Sequence, residues 1–308
     1  MTNHRTIARG ILFLILAALS LVGVGGASAG PAAATHGGAS AKVPRFVFPV
    51  VGAASFINDF GDARGQGSHE GNDIMAPRKA LVVAAEAGTV KFWTTSSRAG
   101  CMLYLYGKSG TTYLYIHLNN DLGNGNDNKG SCMPGVAYAP GLKNGARVAA
   151  GQHIAYNGDS GDADGINPHL HFEVRPGDGG PINPYAHLKK AQRLLFAATP
   201  GTTFTLALTG RVAAAAEGQL ALQLEQLRQW PGGRKVQGAG QKVAVTVPDT
   251  AVLEGGGVAA AAAPTVEQLA VGSTVTVWTA PAKVTLAAQT GSPGALAAER
   301  VVLKRSGR

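Results

Sequence analysis

The chain has little of several features that would assign a protein to a class at once. It has two cysteines in 308 residues, too few for a scaffold of several disulfides or a four-cysteine zinc finger. Aromatic residues make up 6% of the chain, and no basic run alternates with aromatic side chains, so we expect no nucleic-acid partner. Between residues 45 and 190, no segment of helix length repeats apolar residues every 3.6 positions, which argues against a helical bundle.

Long hydrophobic runs are also scarce. The apolar run over residues 11–24 is too short and too rich in glycine for a membrane span. Arg5 and Arg9 precede this run, and Ala27-Ser28-Ala29 follows it. This order predicts a secretory signal over residues 1–29, with an uncleaved anchor as the alternative. We therefore expect a protein secreted into the cell envelope, with no stable membrane span after removal of the signal.

The charge balance is basic, with a formal net charge of +9. In an exported protein this balance suits an anionic surface such as a cell wall or membrane headgroups. Ordinary solubility charge explains it equally well, so charge alone selects no partner. The sequence makes no prediction of the oligomeric state.

Cys101 and Cys132 form an even pair in a chain that is predicted to be exported. An oxidising compartment favours a disulfide between them. Two unpaired thiols are the alternative, because a sequence does not show whether the two Cα atoms lie close together. The spacing is not that of a Cys-x-x-Cys metal site.

Short apolar runs separated by turn residues predict a mainly β fold. We expect residues 30–44 to form a flexible linker and residues 45–190 to form an antiparallel β domain. The strands predicted in that domain cover residues 80–85, 88–94, 102–106, 111–118, 147–149, 153–157 and 169–175.

A second, smaller β-rich domain is predicted over residues 200–308. Five or so short strands in this length suggest an OB-like or SH3-like barrel, without a set of catalytic side chains. Its predicted strands cover residues 204–211, 243–247, 273–278, 282–287 and 299–304, while residues 220–230 fit a strand or a helix. A short helix over residues 189–196 is expected to join the two domains.

The pair His169-x-His171 lies in an apolar, β-prone run. Residues i and i+2 of a strand point to the same face, so both imidazoles reach one place while Leu170 and Phe172 face the opposite side. By the same alternation we do not nominate Glu173 as a partner that orients the histidines.

His69 and Asp73 lie upstream, separated by a tight segment that contains glycine. Imidazole and carboxylate suit a divalent metal of borderline hardness, with zinc the first choice. With one histidine of the later pair they make three protein ligands, and three ligands plus an open position are typical of catalytic zinc. His117 ends another predicted strand, where Tyr113 and Tyr115 are expected to share its face.

Three motifs occur together in one order along the chain. They are His69-x-x-x-Asp73, Tyr115-Ile116-His117-Leu118 and His169-Leu170-His171-Phe172-Glu173-Val174. The set resembles the motifs of the lysostaphin/LytM-type zinc endopeptidases. This resemblance covers about residues 45–190 and implies that family's duplicated hybrid-motif β fold.

The resemblance also implies roles for the individual residues. His69, Asp73 and His171 would bind Zn²⁺, and His117 and His169 would be catalytic, activating the attacking water or stabilising the tetrahedral intermediate. The substrate would be the peptide of peptidoglycan, cut in a stem peptide or a cross-bridge. The alternative is a wall-binding or regulatory module with a structural metal site. Two loops, residues 119–143 and 159–164, are expected to border the substrate groove.

Overall fold

A computed structural model describes residues 42–65, 67–177, 179–255 and 265–304. The predicted signal over residues 1–29 and most of the predicted linker over residues 30–44 lie outside the described residues. All described residues belong to one compact unit. Among them, no helix is long and apolar enough to cross a membrane.

The described chain is mainly β, as predicted, with mostly antiparallel pairing. The elements of its first half are β1 Ala63–Arg64, β2 Gly67–Ser68, β3 Asn72–Met75, β4 Leu81–Val83, β5 Gly88–Ser96, β6 Gly100–Gly107, β7 Thr111–Leu118, β8 Arg147–Val148, β9 His153–Tyr156, β10 His169–Pro176 and α1 Tyr185–Lys190. Those of its second half are β11 Thr203–Ala216, β12 Gln219–Trp230, β13 Arg234–Gln237, β14 Lys242–Thr246, β15 Val252–Gly255, β16 Thr274–Thr279, β17 Ala282–Lys283, α2 Leu286–Thr290 and β18 Ala298–Leu303.

A six-stranded antiparallel sheet carries the three motifs. Its strand order is β3-β10-β7-β6-β5-β8, and β4 and β9 pair separately. Alternation along β10 buries Leu170 and Phe172 completely in the main hydrophobic core, which defines the core face of the sheet. His169 and His171 point to the other side, which we call the groove face.

The second half is built around the long strand β11. It pairs with β12, β16 and β17, and the eight-stranded sheet also contains β13, β14, β15 and β18. Along these strands, leucine or valine occupies every second position and fills a second core. Leu206, Leu208 and Leu222 are examples. The region is β-rich as its pattern indicates, whereas the OB-like or SH3-like barrel and the domain boundaries stay predictions.

Direct contacts join the two halves on the side of β4 and β9. Val236 of β13 packs against a small cluster that includes Leu81 and Val83 of β4. The buried Gln289 amide of α2 lies 3.3 Å from the carbonyl oxygen of Gly151 and donates a hydrogen bond to it. The second half therefore contacts the first around β4 and the turn that precedes β9.

Two predicted elements of secondary structure are wrong. Instead of a helix over residues 189–196, α1 ends at Lys190, and Leu194 and Phe196 are buried in extended chain because they fill the cores. The strand predicted over residues 282–287 stops at Lys283. There Thr285 caps α2 by accepting a hydrogen bond from the Ala288 amide at 3.1 Å. The ambiguous residues 220–230 form strand β12.

Candidate active site

Three side chains bring potential metal-ligating atoms together. His69 Nε2 lies 2.8 Å from His171 Nδ1 and 3.1 Å from Asp73 Oδ1, and His171 Nδ1 lies 3.1 Å from the same oxygen. Separations of this size fit three ligands on one small cation at about 2.0–2.2 Å from each. Two imidazole nitrogens and one carboxylate oxygen are also a donor set that borderline divalent metals prefer.

Strand register explains why these atoms meet. Asp73 on β3 is paired directly with His171 on β10, so both side chains project from the groove face. His69 lies just before β3. It reaches Asp73 and His171 because the backbone at Gly71 is in close contact with β10. A Cβ atom at Gly71 would stand 2.6 Å from the Phe172 carbonyl oxygen and 2.8 Å from His171 Nε2, so only glycine allows this approach.

Each histidine of this cluster is oriented through its second ring nitrogen. The Nδ1–H of His69 donates a hydrogen bond of 2.8 Å to the carbonyl oxygen of Asp59, which leaves Nε2 as the free acceptor. His171 donates from Nε2 to Glu173 Oε1 at 3.2 Å, which leaves Nδ1 toward the cluster. In their neutral forms both rings therefore present a lone pair at the place where the three atoms meet.

Arg64 and Asp59 complete the surroundings of Asp73. The Arg64 guanidinium donates to Asp73 Oδ2 at 2.8 Å, and the buried Asp59 carboxylate accepts from the Asp73 amide at 3.2 Å. Because Oδ2 is engaged by Arg64, Oδ1 is the oxygen left for a cation. Sequence reasoning missed both residues, since neither belongs to a motif whose spacing points at the site.

Electrostatics favour a cation at this place. Burial raises the pKa of Asp73, but the hydrogen-bonding contacts with the His171 and His69 rings outweigh it and hold the pKa well below its usual range. Burial lowers the pKa of His171, but hydrogen bonds to Asp73 and Glu173 outweigh it and raise the pKa to about 9. Both shifts favour positive charge at the place where the three atoms meet, and a divalent cation would supply that charge.

His117 and His169 flank the cluster with their Nε2 atoms free. The Nδ1–H of His117 donates to the Ser160 carbonyl oxygen at 2.8 Å, and that of His169 donates to the Asn167 carbonyl oxygen at 2.9 Å. The two ring centroids are 5.1 Å apart. Burial, followed by the nearby His169 ring, lowers the pKa of His117 to about 4, so its ring is neutral and its Nε2 is a hydrogen-bond acceptor at neutral pH.

The expectation that Tyr113 and Tyr115 share the face of His117 is wrong. Both tyrosines are fully buried on the core face, and Tyr115 accepts a hydrogen bond from the Ala85 amide. His117 leaves the alternation because its backbone has a φ of +61°, in the left-handed region that is uncommon for residues other than glycine and in which Asn, Asp and His are the enriched exceptions. This conformation turns the imidazole to the groove face beside Ile116.

The exclusion of Glu173 is also wrong. Glu173 stands two residues after His171, so the two share the groove face by the same alternation that pairs His171 with His169. Its carboxylate binds His171 Nε2 and also accepts a hydrogen bond of 2.7 Å from Arg175. The i, i+2 spacing in the sequence was a sufficient signal for this residue.

One cavity of about 710 Å³ is lined by all five predicted site residues, His69, Asp73, His117, His169 and His171. Asp162 and Ala163 from the loop over residues 159–164 also line it, as expected of a bordering loop. Among the described lining residues, none comes from residues 119–143. That loop reaches the border indirectly, through a hydrogen bond of 2.7 Å from Asn126 to Asp164.

Two cross-links hold the loops around the groove. Cys101 on β6 and Cys132 in the loop over residues 119–143 form the predicted disulfide. Arg78 bridges the fully buried carboxylates of Asp121 and Asp159, one from each loop. The residue after Asp159 is Ser160, whose carbonyl oxygen holds His117, so these links also fix the position of that histidine.

No protein family model and no curated protein matches the chain. Among solved structures it is similar to a protein assigned as a glycyl-glycine endopeptidase LytM from Ruminococcus gnavus, at 26% identity and a TM-score of 0.38, covering 47% of this chain and 59% of that one. A zinc-containing peptidase from Vibrio cholerae matches at 25% identity and a TM-score of 0.35, covering 51% and 41%. The lysostaphin catalytic domain from Staphylococcus simulans matches at 22% identity and 0.32, covering 45% and 92%.

The names of these neighbours agree with the family that the three motifs resemble. The chain spans less than two thirds of the first two neighbours' own length. At these TM-scores the likeness decides nothing about activity, which has to be argued from the motifs and the geometry of the site.

Proposed function

We propose that the protein is a secreted zinc-dependent endopeptidase that hydrolyses peptide bonds in the stem peptides or cross-bridges of peptidoglycan. The observation that carries this proposal is the meeting of a His-Asp-His cluster with two further histidines in one open cavity. A purely structural metal site needs no extra histidines with free nitrogens beside it. The choice of peptidoglycan rests on the resemblance of the three motifs.

The donor set of His69, Asp73 and His171 fits Zn²⁺ bound through two nitrogens and one oxygen. When bound, zinc supplies Lewis acidity to the attacking water and to the scissile carbonyl, several kcal/mol of stabilisation for the developing charge.

His169 and His117 handle the proton of the attacking water. His169 is the nearer to the ligands, with Nε2 3.8 Å from Asp73 Oδ1, and accepts a hydrogen bond from that water. His117 Nε2 takes a proton from that water as the water oxygen bonds to the scissile carbonyl carbon, and the Asp162 carboxylate, with Oδ1 3.7 Å from Nε2, stabilises the resulting imidazolium. The proton then passes to the leaving amine, as in general acid–base catalysis.

Release of soluble fragments from purified peptidoglycan tests the proposal. The protein is assayed alone, with a chelator, and after zinc is added back, and the fragments are identified by mass spectrometry. We expect release of new amino termini that stops with the chelator and returns with zinc. No release from a protein that holds one zinc ion per chain would contradict the proposal and favour the wall-binding or regulatory alternative.

A further inference from the structure

Three aromatic side chains form a row on the groove face, away from the histidines. Trp93 of β5 lies 5.9 Å from Tyr104 of β6, and Tyr104 lies 6.2 Å from Tyr106, measured between ring centroids. Trp93 is 41% exposed and Tyr106 is 45% exposed. We call Trp93, Tyr104 and Tyr106 the aromatic row.

Strand register makes the aromatic row continuous with the proposed active site. His171 is paired with Ile116 on β7, Ile116 packs against Met102 on β6, and Met102 is paired with Trp93 on β5. A second series of cross-strand pairs leads to the aromatic row, because Glu173 is paired with Leu114 and Leu114 is paired with Tyr104. The same face therefore leads from the metal ligands over an apolar strip to the aromatic rings.

Solvent-facing strand positions are normally polar, so exposed aromatic rings here require an explanation. Contiguous exposed apolar surface beside a groove marks a place where a ligand binds. The acidic side chain on this part of the face, Glu173, is already paired with Arg175, and Lys91 Nζ lies 5.5 Å above the Trp93 ring. The row is therefore a neutral to basic surface with flat apolar faces and two phenolic hydroxyls.

This chemistry fits sugar rings. A pyranose presents a face of C–H groups that stacks on an aromatic ring, and its hydroxyls lie at the edge where phenolic and ammonium groups can reach them. The spacing between successive rings of the row is close to the length of one sugar unit. The peptides of peptidoglycan are attached to a chain of such units, so sugar lies near any wall peptide held in the groove.

We propose that the aromatic row binds the glycan strand while the attached peptide crosses Met102 and Ile116 to the metal ligands; this rests on the proposed function. Trp93 stands three strands from His171, about 14 Å at roughly 4.8 Å per strand. An extended peptide covers that distance in about four residues at roughly 3.4 Å each. The scissile bond then lies about four residues from the sugar, not at the bond beside it.

Two substrates separate sugar binding from peptide hydrolysis. The first is intact peptidoglycan, and the second is the same peptides freed from the glycan with an amidase. We expect Trp93→Ala to lower kcat/KM on the intact polymer about tenfold, mainly through KM, and to leave hydrolysis of the free peptides unchanged. Trp93→Phe, which keeps a ring, should restore most of the loss. Sugar-bearing products should retain about four residues by mass spectrometry.

The matched control is Trp278→Ala, since Trp278 is 38% exposed on the second sheet. Its activity on both substrates should equal that of the wild type. Equal losses on both substrates for Trp93→Ala, or no loss on either, would overturn the role of the row.

A binding measurement keeps the inference separate from the proposed function. Chitotetraose carries no peptide, and its binding to the zinc-loaded protein can be followed by calorimetry. Binding that is lost in Trp93→Ala and kept in Trp278→Ala supports the row, even if the wild type hydrolyses neither substrate and the proposed function fails. Absence of binding to the wild type, together with unchanged hydrolysis by Trp93→Ala, overturns it.

Discussion

The two halves of the molecule build their cores in the same way but differ in the polar side chains that they bury. Both alternate leucine and valine with polar residues and fill a core. The first half also buries acidic and histidine side chains, namely Asp59, His69, His117, Asp121, Asp159, His169 and Glu173. In the described part of the second half, the buried polar side chains are Gln229, Thr279 and Gln289, which carry no charge.

The buried acidic and histidine side chains, and with them the candidate site, therefore belong to the first half. Burying a charged group costs free energy unless partners compensate it, so a cluster of such groups persists where it has a use. The second half carries no comparable cluster among its described residues, and its ion pairs lie at the surface, as with Arg211 and Glu225. Substitutions of buried polar groups in the first half should therefore have large effects, on the proposed activity or on stability, whereas substitutions of surface charges in the second half should have small ones.

The largest effect is expected from Asp73→Ala. This variant removes one of three ligating atoms and leaves His171 without its main partner. Zinc content should fall below one ion per chain. Turnover should fall by more than the roughly 10–100-fold that is typical when a residue hydrogen-bonded to a metal ligand is replaced. Glu254→Ala on β15, where the carboxylate is 42% exposed, is the control and should keep both. Full zinc content in Asp73→Ala would remove this residue from the ligand set.

Next in size is His117→Ala, which separates metal binding from catalysis. Because His117 is not among the three converging ligands, the variant should keep one zinc ion per chain. Turnover should fall by about 10²–10⁴-fold, the range for loss of a general acid or base. His187→Ala on α1 provides a histidine control with unchanged rate. Wild-type turnover in His117→Ala would refute the catalytic assignment.

Two arginine variants compare ion pairs in the two halves directly. Arg78→Met leaves the carboxylates of Asp121 and Asp159 buried without their partner, which should lower the free energy of unfolding by about 3–5 kcal/mol. Arg211→Met breaks a pair whose side chains are 63% and 44% exposed, which should cost below about 1 kcal/mol. Urea denaturation measures both, and similar losses would remove the contrast drawn between the two halves.

Among the variants of the candidate site, the smallest effect is expected from Glu173→Gln. The amide keeps a hydrogen bond to His171 but loses the charge that holds its orientation and basicity. Zinc affinity should fall about 10–100-fold, measured by competition with a chromogenic chelator. Activity at saturating zinc should change less than affinity. An unchanged affinity would show that the charge of Glu173 does not help to hold the His171 ring.

The sequence was informative wherever strand alternation is regular. The spacing of His169 and His171 places both imidazoles on one face, and the structure brings them together with His69 and Asp73. The core positions Leu170 and Phe172 followed from the same period. The roles of these histidines and of Asp73 remain predictions, since a shared cavity fixes positions and not chemistry.

The predictions from the sequence are wrong where a residue departs from regular strand alternation. His117 sits in a left-handed backbone conformation, so counting from Tyr115 assigns it to the wrong face. Thr285 starts α2 by capping, which overrides a short apolar pattern that resembles a strand. Arg64 and Asp59 reach Asp73 through tertiary contacts that have no period in the sequence. Glu173 was predictable, and the error there was in the counting.

The backbone at His117 has an evolutionary consequence. A left-handed conformation costs a residue with a branched or bulky side chain about 1 kcal/mol or more, a cost that glycine does not carry and asparagine carries only in part. On the proposed function, a descendant released from selection for turnover would replace this histidine with glycine or asparagine at a lower backbone cost, while His69, Asp73 and His171 would be kept. The identity of the side chain at this position should therefore distinguish working hydrolases from inert descendants when genomes are compared.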